Sequence, residues 1–158
     1  MPERTAYVDA VRLLGRRDLS VAQLRARLAE RDHDQPDIDR AIDLLVENGS
    51  LNDARVARAY VGRAKDVKGR GRSRIQHELQ ALGIPRDVAS EALAEAFGDV
   101  DERALVKKAL QKKLRGRQKI EIPAEYARVY QFLMRQGFSP ASVTSVLRAY
   151  RKGSDPLE

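Results

Sequence analysis

The segment 68–74 alternates cationic side chains with small ones, and its cationic residues are Lys68, Arg70, Arg72 and Arg74. Arginine binds phosphate and carboxylate groups through paired hydrogen bonds, and glycine lets another backbone approach closely. Ser73 with Gln76 matches a capping box, which predicts a helix that begins at Ser73. The arginines then crowd the positive end of that helix, where cations are unfavourable. Because helix formation does not explain these cations, we expect them to bind an anionic partner.

A second basic block lies between residues 103 and 119. On a predicted helix over 101–115, Val106, Leu110 and Leu114 share an apolar face. The opposite side carries three cations and the following loop two more: Lys108, Lys112, Arg115, Arg117 and Lys119. A solvated helix face with cations near its C-terminal end explains part of this pattern. The continuation of the charge into the loop favours a binding role, so these five residues join the candidate site.

The net charge of +7 is unevenly distributed along the 158 residues. Residues 1–100 contain 17 basic and 17 acidic side chains, whereas residues 101–158 contain 13 basic and 6 acidic ones. Such an asymmetry indicates a polyanion or an acidic protein surface as the partner. The sequence has no cysteine, which excludes disulfides and Cys-ligated metals. It shows no secretory signal pattern and no apolar run of about 18 residues, so we expect a cytoplasmic protein without membrane contact.

The sequence contains no arrangement that predicts catalysis, a cofactor or a metal. The segment 69–74 has two glycines where a dinucleotide-binding turn needs three, and no strand is predicted before it. His77 opens a metalloprotease-like segment, but Ala81 stands where the second histidine would be. The acidic residues between 32 and 43 lack the glycine and terminal glutamate of a calcium loop, and they suit a helix start better. We therefore expect no enzyme activity and no cofactor.

Glycine and proline positions and a 3.6-residue apolar period predict an all-α protein. About nine helices are expected, at roughly 4–15, 20–31, 36–47, 53–66, 73–82, 85–97, 101–115, 123–136 and 140–151. Five of the eight aromatic residues lie towards the C-terminal end. Their helical spacing favours core packing over stacking on unpaired bases, and they are Tyr126, Tyr130, Phe132, Phe138 and Tyr150.

The second, fifth and eighth predicted helices share a pattern. Each contains an apolar i, i+4 pair that ends at Leu28, Leu79 or Leu133, and these leucines lie 51 and 54 residues apart. Four residues after each leucine comes a residue suited to a left-handed helix end, namely Asp32, Gly83 or Gly137. Each following helix has a proline near its first turn. The pattern therefore indicates a threefold internal repeat.

This repeat predicts three tandem three-helix units, each packed against its neighbour, in an elongated and curved fold. Their limits are predicted as 1–50, 51–98 and 99–151, followed by a disordered tail at 152–158. In the middle unit, Glu95 interrupts the apolar stripe of the third helix. The alternative is an ordinary compact helical domain in which the similarities arise by chance.

Four segments together resemble the RecX family, small helical regulators of the bacterial RecA recombinase. They read AVRLLGRRDLSVAQLRARL at 10–28, NGSLNDARVARAYV at 48–61, KGRGRSRIQHELQALGI at 68–84 and YQFLMRQGFSPASVTSVL at 130–147. They lie in the family's order and span nearly the whole chain. The sequence departs from the family in two places. Asn52 stands where the family has the first acid of a pair, and His33 replaces an apolar residue after the second helix.

The resemblance implies three tandem three-helix repeats that bind along the deep groove of a RecA–DNA filament. It also implies inhibition of the ATPase, strand-exchange and co-protease activities of RecA, and hence an effect on recombinational repair and the SOS response. Members of the family also bind single- and double-stranded DNA directly. The alternative is a sequence-independent DNA-binding helical module, whose affinity would fall steeply with salt. In both interpretations the nine cationic residues are the candidate filament- or DNA-binding site, and we expect a monomer.

Overall fold

The computed structural model describes residues 5–151, which form nine α-helices. The helices are α1 (Ala6–Arg16), α2 (Val21–Glu30), α3 (Gln35–Glu47), α4 (Asp53–Asp66), α5 (Arg72–Ala81), α6 (Arg86–Phe97), α7 (Glu102–Leu114), α8 (Pro123–Arg135) and α9 (Pro140–Arg148). No strand forms within residues 5–151, although Ile120 and Arg151 make an isolated bridge. The prediction of an all-α chain with about nine helices is confirmed. The predicted tail at 152–158 lies outside the described residues.

The three predicted helix-ending positions all adopt the left-handed conformation. The φ angle is 64° at Asp32, 74° at Gly83 and 98° at Gly137. In each case the amide of the next residue donates a hydrogen bond to the carbonyl five residues earlier. These bonds run from His33 to Leu28 at 3.3 Å, from Ile84 to Leu79 at 3.1 Å and from Phe138 to Leu133 at 3.5 Å. Each bond satisfies a carbonyl that the helix end leaves open, so three helices end with the same geometry, as the repeat predicts.

One compact unit contains residues 5–60 together with Glu78–Ala92. Helices α1, α2 and α3 pack pairwise in this unit. They bury an apolar cluster that includes Leu13, Leu24, Leu28, Ile38 and Leu45. Ser20 begins α2 with a complete capping box, and its hydroxyl accepts from the Gln23 amide at 3.1 Å. The same hydroxyl donates to the Leu82 carbonyl at 2.5 Å, which ties the start of α2 to residues that follow α5.

A second compact unit contains Val61–His77 together with residues 93–151. Helices α7, α8 and α9 pack against one another there. Their core includes Val106, Leu110, Val129, Leu133 and Leu147. The aromatic side chains belong to the same cluster: Phe138 and Tyr150 are buried in it, and Tyr126, Tyr130 and Phe132 are partly buried against it. The prediction that these aromatic residues serve core packing is confirmed for Phe138 and Tyr150, and in part for the other three, whose side chains stay partly exposed.

Glu102 joins the start of α7 to the start of α9 within the second unit. Its Oε1 accepts from the Ser139 amide at 2.8 Å, and its Oε2 accepts from the Ser139 and Ser142 hydroxyls, each at 2.7 Å. Burial raises the pKa of Glu102, but the hydrogen bonds from Ser139 and Ser142 outweigh burial and bring the pKa below its ordinary value of 4.5. The ionised carboxylate is therefore the form that anchors α9.

Residues of α4, α5 and α6 are divided between the two compact units. The compact units are therefore not the same as the repeats inferred from the sequence. The limits 1–50, 51–98 and 99–151 stay predictions of where each repeat begins and ends.

Candidate functional site

Both basic blocks of the sequence contribute to one open cavity of about 480 Å³ in the second unit. We call this cavity the basic pocket. Among the described residues that line it, Asp66 is the one acidic side chain, against seven cationic ones: Lys65, Lys68, Arg70, Lys108, Lys112, Lys113 and Arg115. Apolar groups of Leu105, Ala109, Phe132 and Phe138 form part of its wall. Five of the nine candidate residues thus meet in one place, namely Lys68, Arg70, Lys108, Lys112 and Arg115.

The end of α4 positions the first wall of the basic pocket. The amides of Val67 and Lys68 both donate to the Arg63 carbonyl, at 2.9 and 3.2 Å. The Arg70 amide donates to the Ala64 carbonyl at 3.0 Å, so the chain folds back over the last turn of α4. The carbonyl end of a helix carries partial negative charge. Lys68 and Arg70 therefore stand where the end of α4 favours cations.

Helix α7 supplies the second wall. Its predicted apolar face is confirmed, because Val106, Leu110 and Leu114 are all buried. Lys108 and Lys112 are exposed, and the helix ends with Arg115 at a φ of 50°, in the left-handed region. Burial of the apolar face fixes the rotation of α7. The cations on its other side are consequently held at the basic pocket.

Phe132 of α8 and Lys113 of α7 line both the basic pocket and a second cavity. The Lys113 Nζ lies 4.6 Å from the centre of the Phe132 ring, a cation–π contact. The second cavity, of about 520 Å³, is also lined by Arg117, Arg128 and Arg135. Lys113 and Arg128 were not predicted as site residues. The apolar pattern of the sequence places Phe132 in the core but does not predict that part of its ring is exposed. Cations beside an aromatic wall can hold an anionic group together with a planar one.

The prediction that the fifth helix begins at Ser73 is wrong, because α5 begins at Arg72. The Gly71 amide donates to the Gln136 carbonyl at 2.6 Å, and the Ser73 amide donates to the Gly137 carbonyl at 3.3 Å. A Cβ placed on Gly71 would lie 2.6 Å from the carbonyl carbon and oxygen of Gly137. Gly71 therefore allows the close approach of a segment of the same chain, just after α8, rather than of a partner. This contact sets where α5 begins.

Arg74 is directed at the end of α8. Its Nη1 lies 3.4 Å from the Arg135 carbonyl oxygen and 3.3 Å from Gln136 Oε1. A cation is favoured at the carbonyl end of a helix, which supplies a local stabilisation that the sequence does not reveal. Arg72 is exposed and lines a different cavity, near Glu102. Neither arginine lines the basic pocket, and a binding role for them stays a prediction.

The last two candidate residues lie beyond the end of α7. Arg117 forms an ion pair with Glu125 of α8. The hydrogen bond between them lowers the pKa of Glu125 and raises that of Arg117. Lys119 is exposed beside the buried Ile120 and lines neither the basic pocket nor the second cavity. Binding by Arg117 and Lys119 also stays a prediction.

Other chemistry has little support in the part of the chain that the structure describes. No group of three or more His, Asp or Glu side chains within residues 5–151 is placed to hold a metal ion. The acidic segment instead begins α3, where Asp34 is the N-cap and accepts from the Asp37 amide at 3.0 Å. None of the described helices combines the length and the apolar character needed to cross a bilayer.

Sequence models of the three RecX domains match this chain in order. The first three-helix domain matches residues 6–45, the second matches 52–93 and the third matches 101–147. Together these matches cover most of the chain.

Curated relatives and solved structures agree with these matches. The regulatory protein RecX of Chromohalobacter salexigens is 38% identical over 86% of this chain and 86% of its own length. That of Vibrio parahaemolyticus is 36% identical over 87% of this chain and 86% of its own. The crystal structure of RecX from Lactobacillus salivarius matches with a TM-score of 0.72 at 19% identity, over 90% of this chain and 92% of that one. At that identity the structural likeness shows the fold.

Proposed function

Because the chain belongs to the RecX family of regulatory proteins, we propose that it regulates the RecA recombinase by binding in the helical groove of the RecA–DNA filament. In this proposal it inhibits the ATPase, strand-exchange and co-protease activities of the filament. It thereby modulates recombinational repair and the SOS response. It acts as a monomer in the cytoplasm, where the recombinase works on DNA. The observation that carries the proposal is the match of all three RecX domains to one chain.

The basic pocket supports this proposal physically. The filament contains DNA, a polyanion, and seven cations around one cavity create a strongly positive region. Charges at the surface act over a Debye length of about 8 Å at physiological salt, so the pocket must come close to the phosphates or acidic side chains that it binds. A protein seated in the groove can block the rearrangement of protomers or stop filament growth. Either effect lowers the activities named above.

Sedimentation of the full chain tests this proposal directly. The chain is mixed with the cognate recombinase alone, with single-stranded DNA alone, and with recombinase-coated DNA, at physiological salt. We expect the chain to pellet preferentially with the coated DNA, because the filament offers both protein and DNA. Equal recovery with naked and coated DNA would contradict a filament-binding regulator.

The alternative function is a sequence-independent DNA-binding module, and the same seven cations favour it. Each phosphate neutralised contributes a slope of about −0.9 for duplex DNA in a plot of log affinity against log salt. Tight binding to naked duplex DNA with a steep slope, and no preference for the coated form, would support the module instead of the regulator.

A further inference from the structure

We propose that the basic pocket holds one nucleotide of an unpaired DNA strand, with the base against the Phe132 ring and the phosphates on the surrounding cations. This proposal rests on the proposed function and adds to it the contact between this protein and the DNA strand. It also assigns to Phe132 the discrimination between unpaired and paired DNA.

The size and charge of the basic pocket fit such a ligand. Its volume of about 480 Å³ lies within the range of about 300–1,000 Å³ that small-molecule sites occupy. Lys68, Lys108 and Lys112 are exposed at its rim, and lysine ammonium groups neutralise phosphates as mobile point charges. A phosphodiester backbone can therefore shift along the rim without losing its counter-charges.

Phe132 gives the pocket a feature that a pure anion site does not need. Its ring is partly buried against the core of the second unit, so packing fixes its orientation, while its accessible part faces two cavities. The Lys113 ammonium now lies 4.6 Å from the ring centre. Stacking of a base on an aromatic ring is stronger than an exposed cation–π contact. A base therefore displaces the ammonium, which is then free to move to the adjacent phosphate.

The line of cations continues past Phe132, which favours a strand over a free nucleotide. Arg117, Arg128 and Arg135 line the second cavity together with Glu125, which pairs with Arg117. Lys113 and Phe132 belong to both cavities. Because the two cavities share Lys113 and Phe132, a strand whose base lies against Phe132 can contact cations of both cavities. A duplex must first extrude a base to reach the ring, at an unstacking cost. An acidic peptide would engage the cations and leave the ring unused.

Fluorescence anisotropy with the full chain and no recombinase tests the inference. The probes are labelled oligothymidylate, an abasic strand of the same length, and a duplex. Oligothymidylate should bind the unaltered protein at least about 5-fold more tightly than the abasic strand, as expected for one stacked base. Phe132→Leu should remove this difference by lowering the affinity for oligothymidylate. Tyr126→Leu, which alters an aromatic residue of the same core outside both cavities, should preserve it.

A charge variant tests the phosphate contacts separately. Lys112→Gln should reduce the salt slope for oligothymidylate by about 0.7, the contribution of one phosphate on a single strand. Lys107→Gln is the matched control, because Lys107 is exposed on the same helix and does not line the basic pocket. An equal change in both variants would overturn the assignment of the phosphates to this pocket.

Other outcomes overturn the base site itself. Equal affinity of the unaltered protein for oligothymidylate and the abasic strand would overturn the base site. This comparison needs no variant, so it holds even if Phe132→Leu fails to fold. Displacement of the strand by equimolar thymidine triphosphate would identify a mononucleotide site, and displacement by a polyglutamate peptide would identify an acidic-protein site. Because recombinase is absent, these results are separate from the regulator proposal. If the unaltered protein binds the filament but does not distinguish oligothymidylate from the abasic strand, only the base site is refuted. If it distinguishes the two strands but does not bind the filament, only the regulator proposal is refuted.

Discussion

The His33 ring and the Asp9 carboxylate meet in the interior of the first compact unit. His33 Nε2 lies 2.7 Å from Asp9 Oδ2, and the two side chains are 10% and 2% exposed. Asp9 faces the core side of α1 beside Ala6 and Ala10, so a histidine in place of the expected apolar residue supplies a polar partner for a buried carboxylate. The departure from the family pattern at His33 thus has a physical reason at Asp9.

Replacing His33 by leucine should lower the free energy of unfolding by about 1–3 kcal/mol, because a buried acceptor loses a hydrogen-bond partner. Urea denaturation measures the loss. The double variant Asp9→Ala/His33→Leu should lose at least about 0.5 kcal/mol less than the sum of the two single changes, since contacting residues couple. Strict additivity of the two changes would show that the contact contributes nothing.

At the scale of elements, the start of α5 is held by the segment that follows α8. Two backbone hydrogen bonds, from Gly71 and Ser73, and the guanidinium of Arg74 meet the carbonyl groups of residues 135–137. This junction keeps the loop 67–71, and with it Lys68 and Arg70, beside α7. The glycine at 71 therefore matters for the basic pocket although it carries no side chain.

Gly71→Ala should destabilise the protein by about 1–3 kcal/mol, the usual cost of overpacking, because its Cβ would meet the Gly137 backbone at 2.6 Å. Gly62→Ala is the matched control within α4, where a Cβ meets no atom within 4 Å. That change should stabilise the protein by up to about 1 kcal/mol through helix propensity. Thermal denaturation compares the two, and similar stability of both variants would contradict the close approach.

The Glu102 contact between α7 and α9 should make stability depend on pH. Because its folded pKa lies below 4.5, its contribution is complete above 4.5 and disappears as the pH falls through the folded value. Glu102→Gln should lower the free energy of unfolding by about 1 kcal/mol near neutral pH. The difference in unfolding free energy between this variant and the unaltered protein should shrink below pH 4.5. Glu95→Gln, at an exposed carboxylate of α6, serves as the control in urea titrations at several pH values. A difference that stays constant with pH would contradict the role of ionised Glu102.

Local sequence signals suffice to predict the helices. The signals are the periodic leucines, the prolines and the residues at 32, 83 and 137, and each acts within a few positions of a helix end. They do not suffice for the start of α5, which depends on the backbone of Gln136 and Gly137, more than sixty residues away. The contact of Arg74 with the end of α8 is likewise invisible in a local pattern, and a binding role for Arg74 stays a prediction. The nine candidate residues were chosen by charge, and tertiary packing brings five of them into the basic pocket.

The distribution of charge over the chain agrees with the proposed mode of action. The first 100 residues are balanced in charge, and the excess of basic residues lies in 101–158. Residues 63–74 add a second positive block, and the fold brings its end to the basic block of α7. In the proposed function, this positive region is the candidate contact with the polyanionic filament.

Charge-reversal variants test whether binding depends on the basic pocket or on other cations of α7. The pair Lys108→Glu/Lys112→Glu changes two exposed lysines of the basic pocket, and the matched pair Arg103→Glu/Lys107→Glu makes the same charge change at exposed positions outside it. If the basic pocket faces the filament, the first pair should raise the protein concentration needed for half-maximal inhibition severalfold, because like charges at an interface repel. The second pair should have a much smaller effect.

The rate of DNA-dependent ATP hydrolysis by the cognate RecA, measured while this protein is titrated in, tests whether the protein inhibits the filament. We expect a progressive fall in the rate with the unaltered chain, a weaker fall with the Lys108→Glu/Lys112→Glu variant, and near-normal inhibition by the Arg103→Glu/Lys107→Glu variant. A hydrolysis rate that stays unchanged at every concentration of the unaltered protein would contradict the proposed inhibition.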